Sequence, residues 1–117
     1  PISLAQKTPV LVMDEPTSHL DFHNELKSLE TVVQLVRETR ITVFMATHFP
    51  NHAFYFENSN IPTRIALMNN QRFTVQGRPG EVLNEANMLD TFKIRSALIT
   101  FPGEQGPLKQ IIPLKTL

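Results

Sequence analysis

Two short apolar runs, VLVM at 10–13 and ITVFMA at 41–46, flank a single helical stripe, and this spacing restricts the fold more than any other feature of the chain. Between them Phe22, Leu26, Leu29, Val32, Val33 and Val36 recur at intervals of three and four, which predicts a helix over 22–39 with one apolar face and Asp21 as its N-cap. Each run is continuous rather than alternating, the pattern of a strand covered on both faces. Two such strands joined by one helix pair in parallel through a right-handed crossover, because a tight hairpin cannot connect parallel neighbours. The predicted class is α/β.

The rest of the chain is punctuated more densely. After Thr47 to Asn51 a brief helix is expected over HAFYF, with ENSNIP interrupting it as a loop. Arg64 to Met68 and Phe73 to Gln76 flank NNQR, whose asparagines tolerate the left-handed backbone of a tight hairpin turn, and Gly77 closes the hairpin. Two short helices are expected over 79–84 and 85–93, then two short strands around FPGEQGP from Ile94 onward. The chain opens at Pro1 and enters ISLAQK, which reads as the last turns of a helix begun upstream, so a truncated chain is expected.

Composition narrows the partners. With 117 residues the chain holds one domain or part of one. Eleven basic and eleven acidic residues cancel, so nothing calls for a nucleic-acid partner or a basic membrane patch. Cysteine is absent, which removes disulfides and thiolate metal sites and is compatible with a reducing cytoplasm. The apolar runs fall far short of the roughly 18 to 20 residues that cross a bilayer as a helix.

The chemistry gathers at the ends of the two apolar runs. In a parallel sheet the carboxyl ends of the strands open into the crevice where α/β proteins bind ligands. Asp14 and Glu15 stand at the first such end and His48 at the second. One carboxylate there can hold magnesium, which keeps most of its waters and takes few protein oxygens, while its neighbour polarises a water for attack on phosphorus. A histidine beside them can donate to a phosphate oxygen or hold that water. The plainer alternatives are a polar turn after a strand and a histidine satisfied by backbone. His19 and His23 fall four apart, as do His48 and His52; a zinc pair on one helix face is possible at that spacing, but His19 precedes the helix cap, and solvated imidazoles account for both pairs equally well.

LVMDEPTSHLD at 11–21 resembles the Walker B strand, catalytic glutamate and D-loop of ABC-type ATPases, and MATHFPNHA at 45–53 resembles their switch-histidine loop, with His48 about 27 residues beyond Asp21. SHLDF and THFPNHA are similar to the ATP-binding subunits of importers for iron-siderophores, haem and cobalamin, and QRFTVQGRPGEVL to the hairpin and helix that follow in those subunits. The resemblance implies a partial P-loop NTPase fold: a C-terminal part of the ABC ATPase domain over 1–93, with parallel Walker B and switch-histidine strands plus an antiparallel hairpin, and a tail over 94–117 forming a short hairpin. It implies that Asp14 coordinates magnesium, that Glu15 orients and activates the attacking water, and that His48 senses the γ-phosphate of ATP. Ser18 and Asp21 would belong to the loop that couples two nucleotide sites across a dimer, although Asp21 also has its local work as a cap. A second ATPase subunit and a membrane-embedded permease are the implied partners, at the inner face of the cell membrane. Gln71 stands where the family usually has glycine, and ENSNIP reads as a short insertion.

What the sequence lacks is equally informative. A phosphate cradle needs G-x-x-x-x-G-K-S/T, and none of the four glycines, Gly77, Gly80, Gly103 and Gly106, sits in such a motif. The glycine-rich signature motif and the adenine-stacking region are missing too. The chain alone is therefore expected neither to bind ATP tightly nor to hydrolyse it. In the family the phosphate-loop strand lies between the switch-histidine strand and the later antiparallel strands; its absence leaves bare strand edges, so self-association is expected. Two other classes stay open: an ABC ATPase outside transport, and an interaction module without activity that docks through 94–117.

Overall fold

The computed structural model describes residues 9–15, 20–104 and 106–117. The helix end expected at the start of the chain lies outside them. Two compact units divide the chain, Pro1–Phe49 and Pro50–Leu117.

In the first unit, strands β1 (Val10–Asp14) and β2 (Thr42–Ala46) pair in parallel, with Val10 opposite Thr42 and Asp14 opposite Ala46. The ladder gains one bond at each end, from Thr42 N–H to the Pro9 carbonyl at 3.1 Å and from Glu15 N–H to the Ala46 carbonyl at 2.8 Å. Helix α1 (Phe22–Thr39) is the crossover and occupies the range that its periodicity predicts. Its first turn is closed by Asp21, whose carboxylate accepts from Asn24 N–H at 2.8 Å, and its last by Arg40 in the left-handed region. Leu29, Val32 and Val33 are buried on its apolar stripe.

The strands depart from expectation in one respect. Both were expected to be covered on both faces, yet burial alternates: Leu11, Met13, Val43 and Met45 are half-buried, while Val12 and Phe44 are 71% and 65% exposed on the opposite face. An uninterrupted apolar run specifies two buried faces only where two layers exist, and among the described residues nothing covers the second.

The second unit is better closed. Helix α2 (Asn51–Asn58) continues through Glu57 and Asn58, two residues into the expected loop, because the Tyr55 and Phe56 carbonyls still find a donor in Ser59 N–H; left-handed Asn60 then ends the turn. Strands β3 (Ile65–Asn69) and β4 (Arg72–Gly77) form the predicted hairpin around Asn70 and Gln71, both at positive φ. Helix α3 (Pro79–Val82) stops short of its expected end because Asn84 serves instead as N-cap of α4 (Glu85–Phe92), accepting from Asn87 N–H at 2.8 Å. Lys93, expected as the last helical residue, is the left-handed residue that closes α4.

Strands β5 (Ile94–Gly103) and β6 (Gly106–Thr116) run for ten and eleven residues, far longer than the short pair expected. Proline and glycine read as breakers in sequence, yet Pro102 lies opposite Pro107 and Gly103 opposite Gly106 within the ladder. In a two-stranded ribbon each strand keeps an unpaired edge, and a residue without N–H is tolerated there. Phe54, Leu67, Val82, Leu83, Met88 and Ile111 form the core of this unit, drawn from helices and strands along its whole length.

Candidate functional site

The parallel register sets the site. Because Asp14 is opposite Ala46, the chain leaves β1 and β2 at the same level, and the residues that follow each strand emerge side by side. Glu15 has φ of +50°, a left-handed conformation that costs a non-glycine residue roughly 1 kcal/mol. That turn occurs while Glu15 N–H is still held by the Ala46 carbonyl. The bend directs the glutamate to the neighbouring strand tip, where its Oε1 meets His48 Nδ1 at 2.5 Å. Thr47 shapes the other side of the pair: its hydroxyl accepts from Phe49 N–H at 3.1 Å, a local turn that bends the chain at His48.

The two partners differ in exposure. The Glu15 side chain is 26% exposed and that of His48 is 87% exposed. Hydrogen-bonded through Nδ1–H, the imidazole keeps Nε2 for a second contact with water or ligand. The arrangement suits a glutamate that accepts a proton and an imidazole that carries the hydrogen-bond network outward.

Asp14 is exposed at the end of β1, and among the described residues its carboxylate has no hydrogen-bond or ion-pair partner. One unengaged carboxylate beside one engaged carboxylate is a sparse donor set, too few oxygens for a protein-built calcium cage and compatible with magnesium, which retains its waters. Asp21 is spent on the cap of α1 through Asn24 N–H. Ser18 and His19 lie outside the described residues. His23 is exposed on α1, whereas His48 precedes α2 and His52 is buried within it, so the last two do not share a helix face.

Three features of this region escape a sequence reading. The left-handed turn at Glu15 carries no signal, since glycine or asparagine would be expected there. The Thr47 turn has a weak one, a threonine two residues before the donor it captures. Asn51, the first residue of α2, grips the backbone of Ile111 from both sides, donating from Nδ2 to its carbonyl at 3.0 Å and accepting its N–H at 2.8 Å; a separation of sixty residues hides it.

No protein-family model matches the chain. Among curated proteins, it is 28% identical over 107 residues to the petrobactin import ATP-binding protein FpuD of Bacillus anthracis, which covers 92% of this chain and 37% of the relative. It is 29% identical over 107 residues to the iron(3+)-hydroxamate import ATP-binding protein FhuC of Bacillus subtilis, with 92% of this chain and 38% of the relative covered. A solved structure described as a metal-chelate type ABC transporter in an inward-facing conformation superposes with a TM-score of 0.75 at 26% identity, over 90% of this chain and 40% of that one. The chain thus spans less than two fifths of the length of these curated relatives. In sequence and in fold it corresponds to the C-terminal part of an ABC transporter ATP-binding subunit of the siderophore and metal-chelate importer type.

Proposed function

We propose that this chain is the portion of an importer ATPase that carries the water-activating and phosphate-sensing groups, with the phosphate-gripping loop supplied by sequence outside it. The observation that carries the reading is the Glu15–His48 contact across two adjoining parallel strand tips, together with relatives named for siderophore import. Glu15 is the general base that orients and deprotonates the attacking water. His48, using the nitrogen that Glu15 leaves unengaged, donates to an oxygen of the terminal phosphate and so reports its presence to the base. Asp14 would hold magnesium through oxygen or through a bound water; when bound, the ion supplies charge neutralisation on the phosphates. Ser18 and Asp21 would lie in the loop facing a second ATPase subunit, where Asp21 keeps its capping bond.

On this reading the strands at 10–14 and 42–46 are the Walker B and switch-histidine strands of a P-loop NTPase domain. The parent protein works as a pair of ATPase subunits on a transmembrane permease, peripheral at the cytoplasmic face of the membrane, and drives import of an iron-siderophore, haem or cobalamin. No helix among the described residues is long and apolar enough to cross a membrane. The exposed face of β1–β2 is covered by the missing part of the domain in the parent, and by another copy of the chain when it stands alone.

The test is gain of activity. The 117-residue chain should show no magnesium-dependent ATP hydrolysis, and joining it to the upstream portion of the FpuD subunit should restore turnover. Hydrolysis by the chain alone, or a folded fusion that binds nucleotide and remains inert, would count against the reading.

A further inference from the structure

We infer that the outer edge of β5 pairs with the same edge of a second copy of this chain. Asn51, the first residue of α2, reveals the hydrogen-bonding phase of the β5–β6 ribbon: its Nδ2 donates to the Ile111 carbonyl and its Oδ1 accepts the Ile111 N–H. Both backbone groups of Ile111 therefore point out of the ribbon, and in an antiparallel ladder so do those of its cross-strand neighbour Leu98. Every second pair repeats this. Pro107, Lys109, Ile111 and Pro113 face outward on β6, and Ser96, Leu98, Thr100 and Pro102 face outward on β5.

The two edges differ in how they are closed. On β6, Pro107 and Pro113 have no N–H to offer, the Ile111 groups are taken by Asn51, and Lys109 adds a charge, all of which keep a strand from being extended. On β5, buried Ser96 and Pro102 bound an open stretch in which Leu98 and Thr100 keep outward N–H and C=O groups that meet no partner among the described residues. No charge stands between Arg95 and Glu104, and SALITF at 96–101 favours strand pairing. An open groove of about 430 Å³, lined by Asn84, Glu85, Ala86 and Leu98, lies beside this edge, so α4 leaves it accessible.

The spacing of the open groups selects the occupant. Leu98 and Thr100 lie two residues apart, so a second β5 running antiparallel sets Leu98 opposite Thr100 and Thr100 opposite Leu98 about a two-fold axis at Ile99, and each outward N–H of these residues meets a carbonyl. The side chains agree with that register: Ile99 meets Ile99, Ala97 meets Phe101, and no like charges meet. Ile99 and Phe101, each 41% exposed in the single chain, become covered. Because the β6 edge is closed, pairing stops at two copies, and the small contact makes the dimer a weak one. This pairing is independent of the ATPase reading and of the exposed β1–β2 face.

The experiment uses the 117-residue chain carrying Phe44→Lys, which suppresses association through the β1–β2 face. In sedimentation equilibrium the average mass should rise with concentration from one chain towards two, and the Leu98 and Thr100 N–H groups should exchange about tenfold more slowly at high concentration than at low. Thr100→Pro removes an outward N–H at the kind of position that Pro102, Pro107 and Pro113 already occupy, and should hold the chain at one copy. Ile99→Lys sets like charges across the axis, should do the same, and serves as the reading if Thr100→Pro does not fold. Lys109→Pro, the matching change on the β6 edge, should leave the dimer intact. A mass of one chain at every concentration, a mass that climbs past two chains, or equal loss of pairing in Thr100→Pro and Lys109→Pro would overturn the assignment.

Discussion

The two units of this chain solve the problem of burying apolar surface with unequal success. The unit of Pro50–Leu117 closes a core around Leu83, Phe54 and Ile111, and its longest ribbon carries prolines along its edges. The unit of Pro1–Phe49 buries three residues of α1 and leaves Val10, Val12 and Phe44 exposed on a two-stranded sheet with no proline within either strand. The proposed chemistry lies on the weaker unit. Glu15 and His48 stand at the tips of strands whose one face lacks cover, whereas the well-packed unit contributes no residue to the proposed reaction.

Several substitutions sharpen the contrast. The largest effect on stability is expected in the second unit: Leu83→Ala empties a wholly buried position and should cost about 3 kcal/mol in denaturant unfolding. The equivalent truncation on the open face, Val12→Ala, should change stability by less than about 0.5 kcal/mol in dilute, monomeric chain, since that side chain is largely exposed in the single chain. Phe44→Lys should shift the chain from associated species towards monomer in light scattering and leave the unfolding midpoint of the dilute chain nearly unchanged, because it charges the face through which copies would pair. A fully monomeric parent chain at every concentration would remove the basis for that comparison.

Smaller effects follow from caps and turns. Asp21→Ala deletes the bond to Asn24 N–H and should cost about 1 kcal/mol, read as loss of helix signal at lower denaturant than in the parent chain. Gln71→Gly should stabilise the β3–β4 hairpin by about 0.5 kcal/mol, since a side chain at φ of +63° is relieved.

What could be read from the sequence divides along the same line. The helix of 22–39, its Asp21 cap, and the parallel pairing of the flanking strands follow from local periodicity and from the single crossover that links them, and the meeting of Glu15 with His48 follows in turn from that pairing. Coverage of the strands on their second face was overestimated, since a run of apolar residues records the layers of a complete domain rather than those of the part at hand. The long β5–β6 ribbon was underestimated because Pro102, Gly103, Gly106 and Pro107 are read as breakers unless their mutual pairing is known. The left-handed Glu15 and the grip of Asn51 on Ile111 are products of tertiary context and leave no local pattern.

The most direct measurement is single-turnover ATP hydrolysis by the chain fused to its upstream portion, with Glu15→Gln and His48→Ala compared against the unaltered fusion at saturating magnesium and nucleotide. The account predicts that Glu15→Gln slows hydrolysis by at least about 100-fold, that His48→Ala slows it comparably, and that nucleotide affinity falls little in either. Hydrolysis within a few-fold of the unaltered fusion in both variants would contradict it.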